Sequence, residues 1–192
     1  IGFTTIILSA RDHGNSDKEL GGMSIMRFAN DIDDTISWWN KPVIVDGHSV
    51  GAGAALIVAA RNPMVKGVIA EAPPYAFPAS FKDIYRPALG FMTPILLPGI
   101  RLAFKLIGHN YRRVDFSPND AAPNISVPTL IIHGKRDGIF PYRLTERLAE
   151  NIKDCKVWLP ENADHSNIEL QEEYPKVVSD FLTYVLSKTE SK

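Results

Sequence analysis

Residues 43–51, Val43-Ile44-Val45-Asp46-Gly47-His48-Ser49-Val50-Gly51, decide how the rest of the chain is read. The β-branched run at their start suits a strand, and it passes through Gly-His-Ser-Val-Gly into residues 52–60, an alanine-rich apolar stretch with the character of a buried helix. Strand, G-x-S-x-G and helix in that order describe a sharp turn that lifts a serine hydroxyl off the end of a sheet. Such a turn strains the serine backbone and crowds the positions two residues away, which predicts that Gly47 and Gly51 are both sterically required. Ser49 is therefore the expected nucleophile, and the Val50 backbone N–H, opening the helix, the expected oxyanion donor. A dinucleotide loop built on Gly51-Ala52-Gly53 is the competing reading. It fails at Leu56, where that fingerprint needs glycine or alanine.

Working outward, short apolar runs recur at residues 4–9, 68–70, 129–133 and 155–159. Helical patterns separate them. Ile25, Phe28, Ala29, Ile32, Ile36 and Trp39 mark one amphipathic helix, with Ser24 as its N-cap. Tyr174, Val177, Val178, Phe181, Leu182, Val185 and Leu186 mark the last one, followed by a polar, frayed tail over residues 187–192. Alternating strands and helices predict an α/β fold with a mostly parallel sheet flanked by helices. Residues 73–120 break the alternation. Their prolines, aromatics and apolar residues predict a small helical cap inserted into a core formed by residues 1–72 and 121–192.

A serine hydroxyl needs a histidine to take its proton and a carboxylate to orient that histidine, and in the fold that carries its serine on a strand–turn–helix elbow these follow in the chain order Ser, Asp or Glu, His. The run 129–133 ends in Gly134-Lys135-Arg136-Asp137-Gly138, on the sheet edge that carries Ser49, so Asp137 is the expected acid. His165, in Asn162-Ala163-Asp164-His165-Ser166 after the next strand, is the expected base. Asp115, Asp120 and Asp154 read as loop or helix-end charges. His48 is expected to point away from the site, His109 belongs to the cap, His133 orients backbone, and His13, the main rival base, precedes the serine.

The bulk numbers narrow the partners. The chain has 192 residues, 45% of them hydrophobic, with 21 Lys and Arg against 22 Asp and Glu, so no net field gathers nucleic acid. The most apolar neighbourhood, residues 89–107, holds Pro94, Pro98, Gly99, Arg101 and Lys105, which argues against a transmembrane segment. Cys155, the one cysteine, has no base beside it and forms no intrachain disulfide. Neither a cofactor nor a metal is expected. The chain opens on Ile1 directly before a strand-like run, so its natural N-terminus is expected to lie upstream, with a cytoplasmic location as the default expectation.

The residues also resemble a known group of proteins. Arg11-Asp12-His13-Gly14-Asn15-Ser16-Asp17, the Gly47 to Gly51 turn, Ala60-Arg61-Asn62-Pro63 with Val65-Lys66-Gly67-Val68, His133-Gly134-x-x-Asp137 with Pro141, and Ala163-Asp164-His165-Ser166 resemble the α/β-hydrolase superfamily. Within it they are similar to bacterial serine hydrolases and esterases related to the Bem46 and prolyl-oligopeptidase-like groups. The resemblance implies that residues 4–9 are the fold's fourth strand and that its first three strands are missing. It also implies a second oxyanion donor in a loop after the third strand, and no equivalent precedes Ser49.

By this reading the cap covers the mouth of the site. Phe91 and Leu97, with Met92, Ile95, Leu96, Leu102, Phe104, Leu106 and Ile107 around them, would supply an apolar wall for an acyl or alkyl group, most of these residues serving to pack the cap on the body. Cations outnumber anions six to two over residues 79–115, read as a solvated face. The leading expectation is a carboxylic ester hydrolase acting on a small-molecule ester. A thioesterase, a serine peptidase or a catalytically silent binding domain are the alternatives, and the oligomeric state is open.

Overall fold

The computed structural model of the protein describes residues 2–17, 24–76, 89–106 and 117–190. His109, Ile107, most of the cap's cations and the Phe104 side chain lie outside the described residues. In chain order the elements are α1 (Ile25–Trp39), β1 (Val43–His48), α2 (Val50–Ala59), β2 (Val65–Glu71), a 3-10 turn (Gly90–Met92), α3 (Thr93–Leu106), α4 (Pro118–Ala121), β3 (Thr129–Ile132), α5 (Tyr142–Glu150), β4 (Cys155–Trp158) and α6 (Tyr174–Glu190).

Among the described residues one sheet forms, in the order β1-β2-β3-β4, with every pair parallel. All four C-terminal ends therefore open onto the same edge. The strands alternate by a period of two, as a sheet covered on both faces requires. Val68, Ala70 and Ile131 meet the buried residues of α1 and α2, while Ile69, Leu130 and Ile132 meet Phe181 and Val185 of α6. Residues Ala52 to Val58 of α2 are almost entirely without solvent exposure, in line with the expected buried helix. Helix α1 ends on Asn40, whose left-handed backbone (φ 51°) carries its N–H back to the Ile36 carbonyl at 2.8 Å. Ser24 holds the N-cap position, although its side chain makes no capping hydrogen bond.

Two expectations are corrected here. Residues 4–9 belong to no strand, and Phe3, Ile6, Ile7 and Leu8 are exposed. β-propensity favours an extended chain, but a strand also needs a ladder partner, and no described strand pairs with this segment. At the other end, α6 runs on to Glu190 through residues expected to fray; Thr189 and Ser187 side chains bond back to carbonyls of the preceding turn.

The insertion between β2 and β3 narrows to a neck where it leaves and rejoins the body. The Asn119 N–H donates to the Tyr75 carbonyl at 3.1 Å. Pro74 and Pro118 both close on Gly53, where a Cβ would stand 3.0 Å and 3.2 Å from their Cγ atoms and 2.4 Å from Ile25 Cδ1. A Ser117–Asp120 capping box starts the returning helix, which makes Asp120 the helix-end charge expected of it. Above the neck α3 is helical, but among its described side chains only Thr93 and Leu97 are buried. Phe91, Ile95, Leu96, Leu102 and Leu106 are exposed, so the expectation that most of the cap's apolar residues serve packing does not hold for these five.

Candidate active site

The first component is the turn out of β1. Ser49 has φ 54° and ψ −119°, a conformation a non-glycine residue adopts only when its surroundings hold it there. Backbone bonds on both sides do so: the Ser49 N–H donates to the Glu71 carbonyl at 2.8 Å, and its carbonyl accepts from Gly53 N–H at 3.1 Å. Although Ser49 sits at the N-cap of α2, its hydroxyl does not cap the helix. It is left for the site. A Cβ at Gly47 would lie 2.6 Å from the carbonyl carbon and oxygen of Gly51, so this glycine is required. Gly51 is not. A Cβ there meets nothing within 4 Å, because the crowding is one-sided: Gly47 approaches the backbone of Gly51, while the open side of Gly51 faces away.

The second component is the turn after β3. The Asp137 side chain is fully buried, and its carboxylate collects four donors. Oδ1 accepts the N–H groups of Ile139 (2.7 Å) and Phe140 (2.8 Å), while Oδ2 accepts from His165 Nδ1 at 2.7 Å and lies 2.9 Å from His133 Nε2. Burial pushes this carboxyl up, but the bonds from His133, His165 and the two backbone N–H groups outweigh it and hold Asp137 well below the usual carboxylate range. Asp137 therefore stays ionised.

The third component is the loop after β4. It packs directly on the acid turn: a Cβ at Gly134 would sit 2.3 Å from the Ala163 carbonyl oxygen, and Arg136 N–H donates to that same oxygen at 2.9 Å. The Asp164 and Asn167 side chains brace the loop from within by accepting the N–H groups of Ser166 and Asp164. On this support His165 places Nε2 3.0 Å from Ser49 Oγ. Phe140 meets the ring edge-on at 5.5 Å between centroids.

The three residues singled out from sequence thus converge within hydrogen-bond reach in the order serine, imidazole, carboxylate. A carboxylate on Nδ1 keeps the proton there and leaves the Nε2 lone pair facing the hydroxyl, the arrangement that general-base activation of a serine needs. Val50 follows Ser49 as the first residue of α2, where leading N–H groups have no acceptor within the helix.

The other histidines divide. His13 bonds its own loop through Arg11 O at 3.0 Å and packs against Phe28. His133 is more than an orienter of backbone. Fully buried, it accepts a hydrogen bond from Thr145 Oγ1 at Nδ1 and turns Nε2–H toward both Phe140 O (3.0 Å) and the Asp137 carboxylate. The i,i+4 spacing of His133 and Asp137 was the available signal. His48 corrects the sequence reading outright: it points toward the site, with Nε2 2.7 Å from the His165 carbonyl oxygen.

Phe91 projects into solvent, whereas Leu97 lies on the buried face of α3. Burial and the neighbouring Asp154 push the Cys155 thiol up to about 12, which leaves it inert as a nucleophile. Beside the turn Asp46 is exposed at the sheet edge, but the partial desolvation of its carboxyl and the adjacent Glu71 raise it to about 6, and Tyr174 O–H donates to Glu71 Oε1 at 2.5 Å. Among the described residues there is no cluster suited to a metal ion and no helix long and apolar enough to cross a membrane.

No family model matches the chain. It is 28% identical over 167 residues to the lysophosphatidylserine lipase ABHD12 of Macaca fascicularis, covering 74% of this chain and 38% of that protein. It is 35% identical over 78 residues to the monoacylglycerol lipase ABHD6 of Homo sapiens, covering 40% of this chain and 23% of that one. The chain thus spans two fifths or less of the length of these curated relatives. The esterase of Exiguobacterium antarcticum has the same fold, with a TM-score of 0.62 at 22% identity over 92% of this chain and 79% of that one.

Proposed function

Because the chain belongs to the α/β-hydrolase superfamily, we propose that it is a serine hydrolase that cleaves carboxylic esters through an acyl-enzyme on Ser49. The observation that carries this reading is the continuous hydrogen-bonded line from Ser49 Oγ through His165 to Asp137, with spacings of 3.0 Å and 2.7 Å, at a turn that holds the serine at φ 54°.

In the proposed reaction Ser49 Oγ attacks the ester carbonyl while His165 Nε2 takes the hydroxyl proton. The Nδ1 proton stays on the imidazole, where the Asp137 carboxylate stabilises the cation that forms. The Val50 N–H donates to the oxygen that becomes negative. As the tetrahedral adduct collapses, the alcohol departs with the proton from His165, and a water molecule repeats the sequence to release the acid. The narrower placement beside the Bem46-like hydrolases is part of the same proposal.

Both curated relatives are named as lipases. That favours a small-molecule ester with an apolar acyl or alkyl group, and Leu97 and Phe91 of the insertion are the residues we assign to that group. The test is covalent labelling by a fluorophosphonate, followed by peptide mapping, with turnover of p-nitrophenyl esters in parallel. Label on Ser49 and its loss in Ser49→Ala are expected. Label on another residue of the folded protein would overturn the assignment.

A further inference from the structure

We propose that His48 is a positioning residue for the general base: it fixes the backbone from which His165 reaches Ser49. The inference rests on the triad reading above and adds to it a part that the triad alone does not contain.

His48 is the last residue of β1, on the strand face that also carries Ile44 and Asp46. Its Nε2 lies 2.7 Å from the His165 carbonyl oxygen, and the two rings are 4.9 Å apart, tilted by 57°. A carbonyl oxygen only accepts, so Nε2 carries the proton and donates it. Three links then close on themselves. The peptide bond joins His48 to Ser49, the Nε2–H···O bond joins His48 to the His165 backbone, and the 3.0 Å bond joins His165 Nε2 to Ser49 Oγ.

The closure matters because β1 and β4 are at opposite sides of the described sheet, with β2 and β3 between them. Without a direct tie, the Ser49 to His165 distance would depend on three strand pairings and two loops. The loop's bonds to Lys135 and Arg136, and the His165–Asp137 bond itself, hold it to the acid turn and not to the elbow. Holding the His165 carbonyl fixes the peptide plane and hence the direction of its Cα–Cβ bond. A displacement of about 1 Å in a catalytic group can cost about 100-fold in rate. Phe140 also meets the same ring edge-on, at 5.5 Å between centroids.

The test compares His48→Phe, which keeps a ring but removes the donor, with His48→Gln, whose amide N–H extends to a similar reach. Each is assayed on a p-nitrophenyl ester, by the rate of fluorophosphonate labelling, and by the downfield proton resonance of His165 Nδ1–H, identified by its absence in His165→Gln. The expected result is a loss of about tenfold in kcat and labelling rate for His48→Phe, the scale of one hydrogen bond, with KM unmoved and the Nδ1 proton broadened by exchange. His48→Gln should recover most of both.

Wild-type kcat and a sharp Nδ1 proton in His48→Phe would overturn the proposal. So would equal losses in the two variants accompanied by an equal fall in thermal stability, which would mark His48 as a packing residue. Ser49→Ala, run alongside, separates the two layers. Its inactivity with a fully active His48→Phe removes only the role of His48, whereas persistent turnover in Ser49→Ala removes the triad and this inference with it.

Discussion

The two glycines of the G-x-S-x-G turn should respond to alanine in opposite directions. At Gly47 the added Cβ meets backbone atoms of Gly51 at 2.6 Å and Ala52 N at 2.9 Å, and backbone has no rotamer to yield with. Restoring ordinary contact at 3.4 Å requires the end of β1 and the start of α2 to separate by about 0.8 Å, the difference between 3.4 and 2.6. Overpacking of this kind costs about 1–3 kcal/mol, and an unyielding backbone contact belongs at the upper end. Ser49 lies between the two segments, so the same shift carries Oγ away from His165 Nε2 and should reduce labelling by about 100-fold. At Gly51 a Cβ meets nothing, the residue is helical, and alanine should stabilise by about 0.5 kcal/mol through helix propensity. Thermal unfolding and fluorophosphonate labelling rates of Gly47→Ala and Gly51→Ala test both signs. Equal destabilisation by the two substitutions, or normal labelling in Gly47→Ala, would refute the one-sided account of the turn.

Three further outcomes follow from the site and its neighbours. Asp137→Asn and His165→Ala should each lower kcat by about 10⁴-fold, and adding either to Ser49→Ala should change little, because the three act as one unit; additive losses in the double variants would count against this. Asp46, exposed at the sheet edge but raised to about 6 by partial desolvation of its carboxyl and by Glu71, binds its proton more tightly when folded, so stability should fall as pH rises from about 4 to 6 and stay reduced above that. Asp46→Asn should then raise the unfolding temperature above pH 6, by the equivalent of about 1 kcal/mol once solvent screening at the sheet edge is allowed for, and should leave it nearly unchanged at pH 3.5. Cys155, with its thiol pushed up to about 12, should react with iodoacetamide at pH 8 far more slowly in the native protein than in urea, as intact-mass kinetics would show.

Where chain order alone sets the geometry, the residues were readable. Parallel strands put their C-terminal ends on one edge, so a serine after β1, an aspartate after β3 and a histidine after β4 had to open onto the same side. What could not be read depends on neighbours that are distant in sequence. Residues 4–9 have the composition of a strand, yet a ladder takes two strands, and composition describes only one. The bond from His48 to His165 exists because the loop after β4 reaches across the whole sheet, a distance that local patterning does not contain. Gly51 fits the motif as well as Gly47 does, and only the direction of each missing Cβ tells them apart. The carboxylate contact of His133 depends on its ring being held by Thr145 from α5, which lies further along the chain.

The neck at Tyr75 and Asn119 bears on how such a scaffold diversifies. Because the outgoing and returning chains are pinned together beside α2, whatever is spliced between them closes a loop whose ends are already joined, and closure entropy grows only slowly with the length of the insert. Variation in substrate preference can therefore accumulate above the neck as exchangeable modules, while the strand ends below it keep their spacing. For the protein engineer, Pro74 and Pro118 mark the natural splice points at which one insertion could be traded for another.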